Sequence, residues 1–70
     1  MKELDLHGFY HHQVPLEVDN FVNLNYNNFP VRIIVGRSEM MRNIVETTLK
    51  SSNLEYEIPA HNSGEIIVRK

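Results

Sequence analysis

The apolar residues of this chain recur at every second residue in some stretches and about every 3.6 residues in others, which are the periods of a strand and of a helix. No other feature of the sequence constrains its fold as strongly. Leu4 and Leu6 alternate with polar residues, which predicts a half-buried strand over residues 3–7. A stripe at three- and four-residue spacing then predicts a helix that begins between His11 and Val14 and ends before Pro30. The members of that stripe are Val14, Val18, Phe21, Val22 and Tyr26.

The same switching continues in the second half of the chain. Residues 31–35 are mostly apolar and β-branched, which predicts a second strand. Ser38 is a suitable N-cap for a second helix, which ends near residues 51–53. The apolar stripe of this helix is Met41, Ile44, Val45, Thr48 and Leu49. Residues 54–58 and 65–69 are predicted as a third and a fourth strand, with a turn between them.

These elements predict the order β-α-β-α-β-β within a single domain, residues 1–70. Because crossovers between parallel strands are right-handed, we expect the first three strands to be parallel and both helices to cover one face of the sheet. The last strand pairs as a hairpin. The expected fold is therefore α/β, an α+β two-layer sandwich with a four-stranded mixed sheet and one open face.

Composition limits the functions that such a domain can have. The 70 residues are 41% apolar and contain no cysteine, which predicts a globular domain without disulfides or thiolate metal sites. No apolar run approaches the ~20 residues of a membrane span and no signal-peptide pattern is present, so we expect a soluble, cytoplasmic protein. The net charge of −2 and the pI near 6.0 argue against a broadly basic nucleic-acid binder, so phosphate binding would need a local cluster.

Polar residues follow the strands, and the predicted topology brings them to one edge of the sheet, where open α/β sheets bind ligands. The segments expected to meet there are Asp5, His7 and Gly8; Gly36, Arg37 and Ser38; and His61, Asn62 and Ser63. Near this edge, the ring of Tyr10 is a candidate for stacking on a base, whereas Phe9 is predicted to pack as a helix staple.

Cleavage of a phosphodiester needs proton transfer and stabilisation of charge on phosphorus. His7 can act as general acid or base, because an imidazole changes its charge near neutral pH. Asp5 can orient that imidazole or bind a metal ion, and Arg37 can hold phosphate oxygens beside the N–H groups that begin the second helix. Structural alternatives stay open. Asp5 can pair with Arg32 or Arg69, His7 can lie partly buried against a loop carbonyl, and Arg37 can be simply solvated.

Two further observations bear on ligands at this edge. Glu39 lies in the first turn of the second helix, where its carboxylate competes with phosphate for the positive helix end. The four histidines, His7, His11, His12 and His61, have no standard metal-ligand spacing, so no transition-metal site is predicted. A divalent ion such as Mg²⁺ or Mn²⁺ is the candidate cofactor for phosphodiester chemistry.

Several stretches resemble the small MutS-related (Smr) domain family over nearly the whole chain. The run Leu4-Asp5-Leu6-His7-Gly8 matches the opening motif of the family. Residues 31–37 resemble the strand that leads to its His- or Thr-Gly-x-Gly turn, and residues 64–68 resemble its closing Gly-x-x-x-Val strand. The resemblance implies a two-layer fold, nucleic-acid binding and endonuclease activity on DNA or RNA. It also implies catalytic roles for Asp5 and His7 and a phosphate-facing turn at Gly36.

The chain departs from the family in its second motif, where Val35 stands for the His or Thr and Ser38 for the second glycine. We hypothesise a reduced, stand-alone Smr-like domain that binds DNA or RNA at the strand ends. Whether it also hydrolyses phosphodiester bonds through Asp5 and His7 stays open at this point. The candidate nucleic-acid-binding residues are Gly8, Tyr10, Gly36, Arg37, Ser38, His61 and Asn62. Two alternatives stay open: a non-catalytic nucleic-acid-binding module, and a small protein-interaction domain that uses the open sheet face or the edge of the third strand.

Overall fold

A computed structural model, which describes all 70 residues, has two helices on one face of a four-stranded sheet. The strands are β1 (Glu3–Asp5), β2 (Val31–Ile34), β3 (Tyr56–Glu57) and β4 (Glu65–Val68), and the helices are α1 (Val14–Leu24) and α2 (Glu39–Ser51). Short 3₁₀ turns occupy His11–Gln13 and Tyr26–Asn28. The predicted fold class and element order are confirmed. Neither helix is long and apolar enough to cross a membrane.

The strand order across the sheet is β1-β2-β4-β3. β1 and β2 are parallel, and β4 is antiparallel to both of its neighbours. β1, β2 and β3 therefore run in one direction, as predicted, but β4 separates β3 from β2. Sequence composition explains this order, because β4 has the consecutive buried residues Ile66, Ile67 and Val68, which suit an interior strand. The short β3, with its exposed Glu57, suits an edge.

The core lies between the sheet and the helices. Ile33 of β2 and Ile66 of β4 face it from the sheet and have no exposed surface. The predicted helical stripes supply the opposite wall with Val14, Val18 and Val22 from α1 and Met41, Val45 and Leu49 from α2. Leu6, directly after β1, is 1% exposed, so the alternation of Leu4 and Leu6 does place this segment against the core.

The first strand is shorter than predicted, and the reason lies in the side chain of Asp5. β1 ends at Asp5 instead of residue 7. The Asp5 carboxylate accepts a hydrogen bond from the backbone N–H of His7 at 2.9 Å, which bends the chain out of the sheet. Gly8 completes the turn with a φ of +91°, a backbone conformation that strains any residue with a side chain.

Two other local predictions are wrong. Tyr26 is not part of the α1 stripe, because the helix ends at Leu24 and the tyrosine side chain is 65% exposed. β3 is shorter than the predicted residues 54–58. The N–H of Leu54 donates to the carbonyl of Leu49 at 3.1 Å, so the end of α2 holds this residue instead of a neighbouring strand.

The face of the sheet away from the helices, here called the open face, is covered by ion pairs. They are Arg32 with Glu3 at 3.3 Å, Arg32 with Glu65 at 3.4 Å, and Arg69 with Glu57. Ile67 also belongs to this face, opposite Arg32 and Glu57 in the strand register, yet it is only 8% exposed. Its burial is explained by the long charged side chains around it, whose apolar stems cover neighbouring surface.

Candidate functional site

A cleft of about 410 Å³ opens at the carboxyl ends of β1 and β2, and we call it the strand-end cleft. Six of the predicted site residues line it: Asp5, His7, Gly8, Gly36, Arg37 and Ser38. Its apolar wall includes Leu6, Val35 and Met41, which also belong to the core. Of the three polar segments predicted to meet at one edge of the sheet, the first two therefore line one cleft, whereas residues 61–63 do not line it.

The pairing of β1 with β2 explains how these distant segments come together. The two strands are parallel neighbours, so residues that follow them leave the sheet side by side. Gly36 turns the second segment with a φ of +65°, which favours glycine. The N–H groups of Val35 and Gly36 both donate to the carbonyl of Gly64, at 2.8 and 3.0 Å. The loop before β4 therefore fixes this turn.

Asp5 and His7 are both exposed and lie together in one tight turn. The carboxylate of Asp5 binds the backbone N–H of His7, and no hydrogen bond joins it to the imidazole. Asp5 also lies within 4.0 Å of no arginine, because Arg32 and Arg69 pair with glutamates on the open face. The structural alternative in which Asp5 pairs with either arginine is therefore wrong. The His7 side chain is exposed rather than partly buried, and no hydrogen bond joins it to a loop carbonyl.

Arg37 brings the one formal positive charge among the residues that line the cleft. It is exposed, and no carboxylate lies within 4.0 Å of it. Arg42, one turn into α2, has a different environment, because Glu39 and Glu46 approach it at 4.0 and 3.9 Å. The carboxylate of Glu39 therefore has a cation beside it and does not line the cleft.

The start of α2 borders the cleft and has free hydrogen-bond donors. Ser38 is the N-cap, as predicted, and its hydroxyl oxygen accepts a hydrogen bond from the N–H of Met41 at 3.0 Å. The N–H groups of Glu39 and Met40 donate to no protein acceptor. The unpaired N–H groups of a helix start attract anions.

The other three predicted binding residues do not line the cleft. Tyr10 is 71% exposed and its ring stacks on that of His12, with 5.8 Å between centroids and 8° between planes. His61 is exposed and has no hydrogen-bond partner in the protein. Asn62 has a structural role, because its side-chain oxygen accepts a hydrogen bond from the N–H of Gly64 at 2.9 Å.

The donor set of the cleft does not form a metal centre by itself. No group of three or more histidine and carboxylate side chains comes together anywhere in the protein. Asp5 and His7 are the two such residues that line the cleft, and both are in one turn. These two residues alone do not supply the ligand set of a protein-held divalent ion.

Sequence reasoning missed two structural features, one at the cleft and one outside it. The carbonyl of Gly64 holds the Gly36 turn, and only the antiparallel register of β2 and β4 would have revealed this contact. The second is an ionisable pair outside the cleft. The hydroxyl of Tyr56 donates to the Glu46 carboxylate at 2.8 Å. Burial, together with this hydrogen bond and the negative charge of Glu46, raises the pKa of Tyr56 to about 12.

Comparison with known proteins adds no relative to this description. No protein-family model, no curated protein and no solved structure matches the chain.

Proposed function

We propose that the strand-end cleft binds a phosphodiester group of DNA or RNA. The observation that carries the proposal is the meeting of Asp5, His7 and Arg37 in one cleft, each without a charged side-chain partner in the protein. Polar groups that need no contact within the fold are available to a ligand. The resemblance of residues 4–8 to the opening motif of Smr domains supports the same substrate class.

Anion binding in this cleft has two sources. The guanidinium of Arg37 can bind two phosphate oxygens through parallel N–H donors, which makes a strong, directional contact. The free N–H groups of Glu39 and Met40 add partial positive charge at the start of α2. Glu39 weakens this site less than its sequence position suggests, because its carboxylate lies beside Arg42 and outside the cleft.

Hydrolysis of the bound phosphodiester is the second part of the proposal. The exposed imidazole of His7 transfers a proton, to the leaving oxygen or from the attacking water. Asp5 acts as a positioning residue, because its carboxylate fixes the backbone of His7 through the 2.9 Å hydrogen bond. The resemblance to Smr domains assigns the same two residues to catalysis.

The experiment is incubation of the purified protein with labelled single- and double-stranded DNA and RNA, with and without Mg²⁺ or Mn²⁺. We expect cleavage that falls about 100-fold or more in His7→Ala, which is the usual contribution of a general acid or base. Asp5→Ala should also lose most of the activity. Glu57→Gln, which changes an exposed carboxylate of the open face, is the matched control and should cleave at the wild-type rate.

A non-catalytic module is the second candidate, and a specific observation favours it. Val35 occupies the position of the second-motif His or Thr, and its side chain is 7% exposed and carries no reactive group. Salt-sensitive binding without cleavage by the wild-type protein would establish this candidate and overturn the hydrolytic step. Absence of any nucleic-acid binding at low salt would overturn the whole proposal in favour of a protein-interaction domain.

A further inference from the structure

Tyr10 has an environment that packing of the fold does not explain. Its side chain is 71% exposed, whereas its neighbour Phe9 packs against the core. The Tyr10 ring lies nearly parallel to that of His12, at 8°, and no side-chain hydrogen bond involves its hydroxyl. Two flat rings stacked in the solvent form a surface on which a nucleobase can stack, because every base has a π face.

The backbone holds this surface in place next to the strand-end cleft. Tyr10 follows the cleft residue Gly8 by two positions, so their Cα atoms are at most ~7 Å apart. The N–H of Tyr10 donates to the side-chain oxygen of Gln13, and the N–H of Gln13 donates to the carbonyl of Tyr10, both at 2.9 Å. These reciprocal bonds fix the backbone of the residue that carries the ring, so binding would have to order only its side chain.

The distribution of positive charge argues against a long duplex as the ligand. Four of the seven lysines and arginines have no carboxylate within 4.0 Å: Lys2, Arg37, Lys50 and Lys70. Arg37 alone is at the cleft. The three lysines lie toward the opposite end of the molecule, because they precede β1, end α2 and follow β4. A duplex across the cleft would therefore meet one unpaired cation, whereas duplex binding depends on many phosphate contacts.

From these observations we propose that the ligand of the cleft is an unpaired nucleotide, with its base stacked on Tyr10 and its phosphate at Arg37. This inference rests on the proposed function and specifies its substrate class as single-stranded DNA or RNA. A paired base is stacked inside its duplex and does not present its face to a side chain, so the Tyr10 ring contributes nothing to duplex binding.

The test measures the affinity of the protein for fluorescent strands of about ten nucleotides, as DNA and as RNA, single-stranded and as duplexes. We expect the single strand to bind at least tenfold more tightly than its duplex. Tyr10→Ala should weaken single-strand binding about tenfold and leave duplex binding unchanged. Tyr10→Phe keeps the ring and should bind within twofold of the wild type. Tyr26→Ala removes another exposed tyrosine, 65% exposed and outside the cleft region, and is the matched control.

Two further readouts separate this inference from the proposed function. A strand with 2-aminopurine as one base should change its fluorescence on binding to the wild type and not to Tyr10→Ala. The slope of log affinity against log salt should be about −0.7, as for one phosphate contact of a single strand. Duplex binding as tight as single-strand binding, or an unchanged affinity of Tyr10→Ala, would overturn the inference while the proposed function stands. Failure of every strand to bind at low salt would overturn both.

Discussion

The strand-end cleft and the open face of the sheet both carry arginine and carboxylate side chains, but these side chains pair with each other only on the open face. On the open face, each arginine has carboxylates beside it, two for Arg32 and one for Arg69. In the cleft, Arg37 has none, and the carboxylate of Asp5 bonds to a backbone N–H rather than to a cation. Charged groups that pair within the fold are already neutralised, whereas charged groups without partners are available to a ligand.

This difference bears on the proposed function, because the chain as a whole is negatively charged. A net charge of −2 gives no general attraction for nucleic acid, so an unpaired arginine matters more here than it would in a basic protein. The open face has a local excess of carboxylates, with Glu3, Glu57 and Glu65 around two arginines. We therefore expect polyanions to avoid the open face and to approach the molecule at the cleft.

The largest expected effect comes from removing an arginine in each region. Arg37→Ala should weaken binding of a single-stranded oligonucleotide about tenfold, the usual size of a hydrogen bond to a charged group. Arg32→Ala removes the same charge from the open face and should change the affinity by less than twofold. Fluorescence anisotropy at low salt measures both. Equal losses in the two variants would show that overall charge, and not the cleft, governs binding.

The position of these two regions could be predicted from the sequence, but the state of their charges could not. The alternation of Leu4 and Leu6 and the stripes of both helices determine the element order, and parallel pairing of β1 with β2 then places Asp5 near Arg37. The choice of partner by each charged side chain depends on cross-strand neighbours. Arg32 meets Glu3 and Glu65 only because β2 lies between β1 and β4. The composition of a strand indicates whether it lies inside the sheet or at an edge, but not which charged residues face each other across strands.

The same limit explains the errors in local structure. The sequence predicts that residues 3–7 continue as a strand, yet the Asp5 side chain accepts the N–H of His7, and Gly8 then turns the chain out of the strand. The exposure of Tyr10 was also open, because an aromatic residue before a helix packs in some proteins and not in others. Here Phe9 takes the packed position, which leaves Tyr10 in the solvent.

The second largest effect is expected at Tyr56, whose hydroxyl is bound within the protein by the Glu46 carboxylate. Because its pKa in the folded state is about 12 and its ordinary value is 10.0, the folded protein holds this proton more tightly than the unfolded chain. The stabilising contribution is complete below pH 10 and disappears as the pH rises to 12. Tyr56→Phe should lower the free energy of unfolding by about 1 kcal/mol at pH 7. Between pH 10 and 12, the free energy of unfolding of this variant should change less with pH than that of the wild type.

Urea unfolding at several pH values measures this difference, and Tyr26→Phe is the matched control because that tyrosine is exposed. The control should follow the wild type over the whole range. An alkaline loss of stability of the same size in Tyr56→Phe and wild type would show that the Glu46 pair does not stabilise the fold.

A smaller effect is expected at Ser38, which belongs to the cleft but has a partner. Its hydroxyl accepts the hydrogen bond from Met41 N–H, so Ser38→Ala should lower the free energy of unfolding by roughly 0.5–1 kcal/mol. Ser38→Asp keeps an N-cap acceptor and should restore most of the loss. Ser52→Ala, at the other end of α2, serves as the control because its hydroxyl is exposed and makes no hydrogen bond within the protein. If Ser38→Ala has the same free energy of unfolding as the wild type, the hydrogen bond between the Ser38 hydroxyl and the Met41 N–H does not stabilise the fold.

The smallest effect should follow from breaking an ion pair of the open face. The Arg69 and Glu57 side chains are 58% and 47% exposed, and pairs in such contact with water contribute little. Glu57→Gln should lower the free energy of unfolding by less than about 0.5 kcal/mol, and high salt should abolish the difference because it screens exposed charges. Thermal unfolding at low and high salt measures this. A loss that persists at high salt would mean that the pair acts through burial of Ile67 beneath it, and the open face would then be a packed surface rather than a solvated charge network.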